Sequence, residues 1–178
     1  MRIRQVSLFA VALCALPALR SAEVPAGFRG DFINQLNDVQ KKLISLAEAV
    51  PEEKYSWRPA SGVRSIAEVY VHVSLANYGL AGFLGVKPPA GVDRDAEKHP
   101  PSKEKIVELI KASFDHMRNV AADIPDADLD KQVKFFGGKM TSERAVLFLI
   151  ANHMHEHLGQ SIAYARTNGV VPPWSASN

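Results

Sequence analysis

Four times along this chain, apolar residues recur at steps of three and four until a proline or glycine interrupts them. That spacing matches the 3.6-residue turn of helices that bury one side. The first run is Phe28, Phe32, Leu36, Val39, Leu43 and Leu46. It stops before Pro51, because proline disfavours helix at the residue preceding it. Ser65, with Glu68 three residues on, forms a capping box for a second helix reaching about Leu84. Its inward positions are Ile66, Val69, Val73, Ala76 and Leu80. Ser102 opens a third, with Ile106, Ile110, Ser113, Met117, Val120 and Ile124 facing inward and Pro125 closing it. Thr141 opens the last, which runs to Asn168 with Gly169 as its C-terminal cap. The stretch "GVKPPAGVDRDAEKHPP" is too rich in proline to be regular, and "DADLDKQVKFFGGKM" has room for a short hairpin at Gly137 and Gly138. No segment sustains an alternation of period two. The expected class is all-α, an up-down four-helix bundle.

The N-terminus has a different character. "MRIRQ" carries two positive charges, "VSLFAVALCALPAL" is apolar but short and broken by proline, and "RSA" supplies a small residue for cleavage after Ala22. Residues 1–22 are therefore expected to be a signal peptide, and the protein to be exported, periplasmic or secreted. Cys14 lacks the small residue before it that a lipoprotein signal needs, so no stable membrane anchor is expected. Cleavage would also remove the only cysteine, leaving no disulfide, thiolate ligand or cysteine nucleophile. The remainder is long enough for one domain, residues 27–174. A net charge of +2, with Lys and Arg scattered, gives nucleic acid no basic surface to grip.

"NHMHEHLGQ", residues 152–160, then concentrates three of the six histidines in nine positions. Extending the last helix's stripe from Val146, Leu149 and Ile150 puts His153, His157, Gln160 and Tyr164 on its inward side. An imidazole buried without a partner costs on the order of 1–3 kcal/mol, so two of them need something to satisfy them. A divalent cation does so, because residues four apart on a helix project together and suit two nitrogens on one ion. His72, on the edge of the second helix's stripe, is the third candidate ligand. Glu68, four residues earlier, is a candidate acceptor for its other ring nitrogen, and Gln160 is a second orienting group. Glu156 is a weaker candidate, a rim acid or base; His155 points away and His116 is expected to be exposed. The HExxH pattern of zinc proteases fails, since methionine follows His153 where glutamate should stand.

Two segments carry a family resemblance. "EEKYSWRPASGVRSIAEVYVHV" resembles the part of DinB-like proteins in which a Trp-Arg-Pro loop enters a helix bearing one histidine. "NHMHEHLGQSIAYARTNGVVPPW" is similar to that family's closing signature, with matches at His153, His157, Gly159, Gln160 and Pro172 beside Trp57, Pro59 and His72 earlier. The resemblance implies a four-helix bundle in which His72, His153 and His157 bind a divalent metal, zinc or nickel, with open coordination positions. It also implies relatives that include thiol-dependent enzymes, such as mycothiol-dependent maleylpyruvate isomerase and bacillithiol transferases. Leu158 departs from the family's usual arginine, and an export signal is unusual for enzymes of cytoplasmic thiols.

The expected function is a metal-dependent transferase or hydrolase whose three-histidine site activates a thiol or water. A small-molecule substrate or low-molecular-weight thiol would be its partner. The alternative is a periplasmic module that holds metal or ligand without turnover. A homodimer is compatible with such a bundle, by analogy alone.

Overall fold

The computed structural model describes residues 25–175, so the expected leader at 1–22 lies outside the described residues. Those residues form helices α1 (Phe28–Ala49), α2 (Ile66–Ala81), α3 (Lys103–Asp123) and α4 (Glu143–Thr167), and a hairpin of β1 (Gln132–Lys134) and β2 (Met140–Ser142). Ser65 caps α2 as its residues predict, whereas Ser102, at the start of α3, makes no side-chain cap bond. Ser65 Oγ accepts from the Glu68 backbone N–H at 3.2 Å while Glu68 Oε2 accepts from the Ser65 N–H at 2.7 Å, closing the capping box. Ser142 rather than Thr141 caps α4, and Gly169 follows the helix at φ 75°, a left-handed turn that favours glycine. Among the described residues, no helix is long and apolar enough to cross a membrane.

Helix order and direction differ from the expected up-down alternation. Arg29 near the start of α1 pairs with Asp126 just past α3, and Lys103 at the start of α3 donates to the carbonyls of Glu48 and Val50 at the end of α1. These two helices run antiparallel. Asn77 meets Ser113, and Tyr78 stacks obliquely on His116, each pair at similar depth in α2 and α3, which are parallel. Phe28 lies against Arg144 and Gln35 against His155, so α1 and α4 are parallel too. The bundle is therefore up-down-down-up, with α1 and α2 diagonally opposed. The physical reason is the connection after α2. A 16-residue helix is about 24 Å long, and the proline-rich segment behind it can span that distance, returning the chain to the end where α2 began.

That segment also covers the bundle. Its Ala96 joins the core. Helix α2 is buried on most of its circumference, at Tyr70, Val71, Ser74 and Asn77 as well as at the expected Ile66, Val69, Val73 and Leu80, while the expected Ala76 is half-buried. The centre is filled by Leu36, Leu43, Ile110, Phe114, Met117, Leu147 and Ile150. In the hairpin, Val133 pairs with Thr141. Gly137 and Gly138, at φ 66° and 75°, make its tip, and Phe135 and Phe136 lean against Phe83 with ring centres 4.6 and 4.7 Å away.

Candidate metal centre

The buried stripe of α4 is not the one the spacing suggested. Val146, Leu147, Ile150, Met154, Leu158, Ser161 and Ala165 are buried, whereas Leu149 is exposed and His153, His157, Gln160 and Tyr164 are half-buried. The helix is turned by about one residue from the expected face. Both faces satisfy the three-and-four rule, but past Glu143 in the first turn the observed one removes only apolar and small side chains from water, while the other would bury a row of polar ones. Turning α4 this way carries its imidazoles out of the core to the seam with α2, where His72 lies.

There the three rings meet. His72, His153 and His157 each offer one ring nitrogen, and these atoms lie within 4.8 Å of one another. The ring centres stand 4.5, 4.8 and 5.3 Å apart, and His153 Nε2 is 3.3 Å from His72 Nε2. Two nitrogens bound at about 2.1 Å to a tetrahedral ion would be separated by about 3.4 Å, close to that distance.

Neighbours decide which nitrogens are available. His72 Nδ1 donates to Glu97 Oε2 at 3.0 Å, and Glu97 Oε1 accepts from Arg64 Nε at 2.6 Å. His157 Nδ1 donates to Gln160 Oε1 at 2.8 Å, and Gln160 Nε2 in turn donates to the Tyr164 hydroxyl at 3.0 Å. With both Nδ1 atoms protonated by these partners, Nε2 of His72 and of His157 carries a lone pair. His153 Nδ1 is buried and has no partner. Burial, helped by the nearby His157 and His72, lowers the pKa of His153 to about 4. His72 is lowered by burial as well, against the opposing pull of Glu97. These two imidazoles are therefore neutral near pH 7, the form that binds metal. The Nε2 lone pairs of His72 and His157, converging with the His153 ring beside an orphaned nitrogen, form a site that a cation satisfies.

Glu68 does not support His72. Its carboxylate is committed to the Ser65 N–H and to Arg58, 2.8 Å away, and although burial works to raise its pKa, these bonds outweigh that and lower it. Glu97 takes the place expected of it; burial raises Glu97 too, but Arg64 and His72 outweigh it and hold the carboxyl below its ordinary range. An irregular loop projects no periodic face, so spacing had no means of finding Glu97. Gln160, expected on the inward side of α4, is half-buried and accepts from His157. Glu156 is exposed on the rim, His155 is exposed and reaches Gln35 at 3.1 Å, and His116 is half-buried against Tyr78 rather than exposed.

The two segments that carried the resemblance come together around this centre. Trp57 packs edge-on to Tyr164 at 5.3 Å, its carbonyl accepts from the first N–H of α2, and Lys54 donates to the carbonyl of Asn168 behind α4. They do not close the site. His72 and His153 line one end of a cleft of about 530 Å3 between α2 and α4, with Glu156 and Asn152 on its edge.

Residues 35–161 match the family model described as the DinB superfamily. Among solved structures, the chain is similar to a DinB-like protein from Bacillus cereus, at 20% identity and TM-score 0.69 over 80% of this chain and 93% of that one. A DinB-like protein from Bacillus subtilis follows at 18% and 0.61, covering 78% and 92%. A conserved protein from Enterococcus faecalis gives 12% and 0.66, covering 80% and 97%. At such identities these structures speak for the fold. No curated protein matches the chain.

Proposed function

Since the chain belongs to the DinB superfamily and draws three imidazoles to one point, we propose that it is a metal-dependent enzyme of the transferase or hydrolase kind. His72, His153 and His157 would hold one divalent cation, and the resemblance favours zinc or nickel. Such an ion lowers the pKa of a bound thiol or water toward neutrality, supplying a nucleophile. The chain's own residues prepare for it. Glu97 keeps the proton of His72 on Nδ1, and Gln160 does the same for His157, so both rings present Nε2 to the centre. Glu156, which lines the cleft, would exchange a proton with a group held there.

The observation that carries this reading is the convergence itself, with two of its rings oriented by dedicated acceptors. The open cleft beside it favours turnover over a module that merely stores an ion. Export follows from the leader at 1–22 as a further part of the proposal, and an intact mass of the secreted chain beginning at Glu23 would support it. The decisive experiment is elemental analysis of the purified protein with thermal unfolding before and after chelation. About one equivalent of metal, and a melting temperature that falls when it is stripped, are expected. Less than about a tenth of an equivalent after supplementation would overturn the proposal.

A further inference from the structure

The cleft next to the triad has a polarity of its own. Its polar groups, His72, His153, Asn152 and Glu156, gather at the triad and along the α4 edge. Away from them the walls are Leu80, Leu149, Phe83 and Phe136. None of the described residues lining it is a lysine or arginine, and Glu156 is its one carboxylate. Phe136 is 58% exposed and Leu149 36%, so apolar surface stands in water within reach of the imidazoles. The Phe83, Phe135 and Phe136 rings brace one another at 4.6–4.7 Å, which makes that end a formed wall. From His72 to Phe83, just past the end of α2, is about 17 Å along the helix axis, room for a head group and a short chain or ring.

We infer that this cleft binds a small molecule with one metal-seeking head, such as a thiol, and an uncharged aromatic or aliphatic body. The inference rests on the metal reading and adds the substrate class to it. Covering Phe136 and Leu149 removes apolar surface from water. Beyond the metal itself, a body carrying carboxylates would meet Glu156 with no lysine or arginine in the cleft lining to offset the repulsion. The cleft thus selects against acidic, peptide-like thiols and in favour of hydrophobic ones.

Cobalt(II) titrated into the full chain without thiol reads the metal site by its visible bands. Thiols are then added to the cobalt form and followed by the sulfur-to-cobalt charge-transfer band. 2-Phenylethanethiol is expected to bind at least about tenfold tighter than 2-mercaptoethanol, with glutathione the weakest of the three. Phe136→Ala and Leu149→Asp, both at exposed positions, should reduce that preference to about threefold or less, Phe136→Ala with cobalt affinity unchanged. Cobalt uptake with no discrimination among the thiols overturns the substrate class and leaves the metal reading standing. Failure to take up cobalt overturns both. A dimer in sedimentation that Leu149→Asp dissociates, with thiol preference unaltered, assigns the cleft to a second copy and also overturns the inference.

Discussion

His72 and His157 serve one centre but are held by opposite means. His157 is oriented from within its own helix, through Gln160 three residues on and Tyr164 four beyond that. His72 is oriented across the chain by Glu97, 25 positions away on the proline-rich loop, which Arg64 anchors in turn. Once α4 forms, the first support exists, because i,i+3 and i,i+4 neighbours share a face of any helix. The second exists only when the loop has packed, and it contributes a carboxylate where the first contributes an amide. His153, between them, has no support at Nδ1. Local support is assured by the helix, whereas distant support is stronger in charge and contingent on the loop.

The largest expected effect comes from the ring without support. His153→Ala should weaken metal binding by more than about a hundredfold, beyond the usual range for groups that only orient a ligand, as measured by competition with a chelator. In the metal-free protein the sign reverses. His153→Leu should be neutral or should stabilise by up to about 1 kcal/mol, because it removes a buried, unpartnered nitrogen; a loss of 2 kcal/mol or more in urea would show that the ring has a partner in solution.

Glu97→Gln is next, expected to cost roughly tenfold to a hundredfold in metal affinity. Glu97→Asp should recover part of that loss if the carboxylate, and not just the packing of the loop, matters. An affinity within twofold of the parent would break the comparison on its distant side. Gln160→Leu should cost less, roughly tenfold, since a neutral acceptor is lost. Tyr164→Phe, one step further out, should cost no more than about threefold, the equivalent of one modest hydrogen bond. If Tyr164→Phe proved as damaging as Glu97→Gln, the local arm would not be the weaker one. The smallest effect on metal is expected from Glu68→Gln. It should leave affinity unchanged and lower stability by about 0.5–1 kcal/mol, the usual cost of weakening a cap.

The same division separates what could be read early from what could not. The residues that begin and end helices act on their own neighbours, so Ser65, Glu68, Pro51, Ser102, Pro125 and Gly169 marked the elements to within a residue or two. The two histidines on α4 were visible as a pair for the same reason. Rotation of α4 was not readable, because Leu149–His153 and Leu147–Met154 satisfy one period equally well, and the choice falls to whichever side costs less to desolvate against α1 and α2. Helix direction escaped too, since a long irregular connection permits either return. Glu97 and the phenyl wall of the cleft sit on a loop and a hairpin tip, where no periodicity points anywhere.

By itself the sequence determined the four helices, the capping box of α2 and the pairing of His153 with His157 on one face of α4, all consequences of interactions within about four residues along the chain. Tertiary structure decided that those imidazoles lie at a seam instead of in the core, that Glu97 and not Glu68 orients His72, and that an apolar cleft opens beside them. The reason is range: hydrogen bonds and steric limits inside a helix act locally, but burial is settled only when distant segments compete for the same surface.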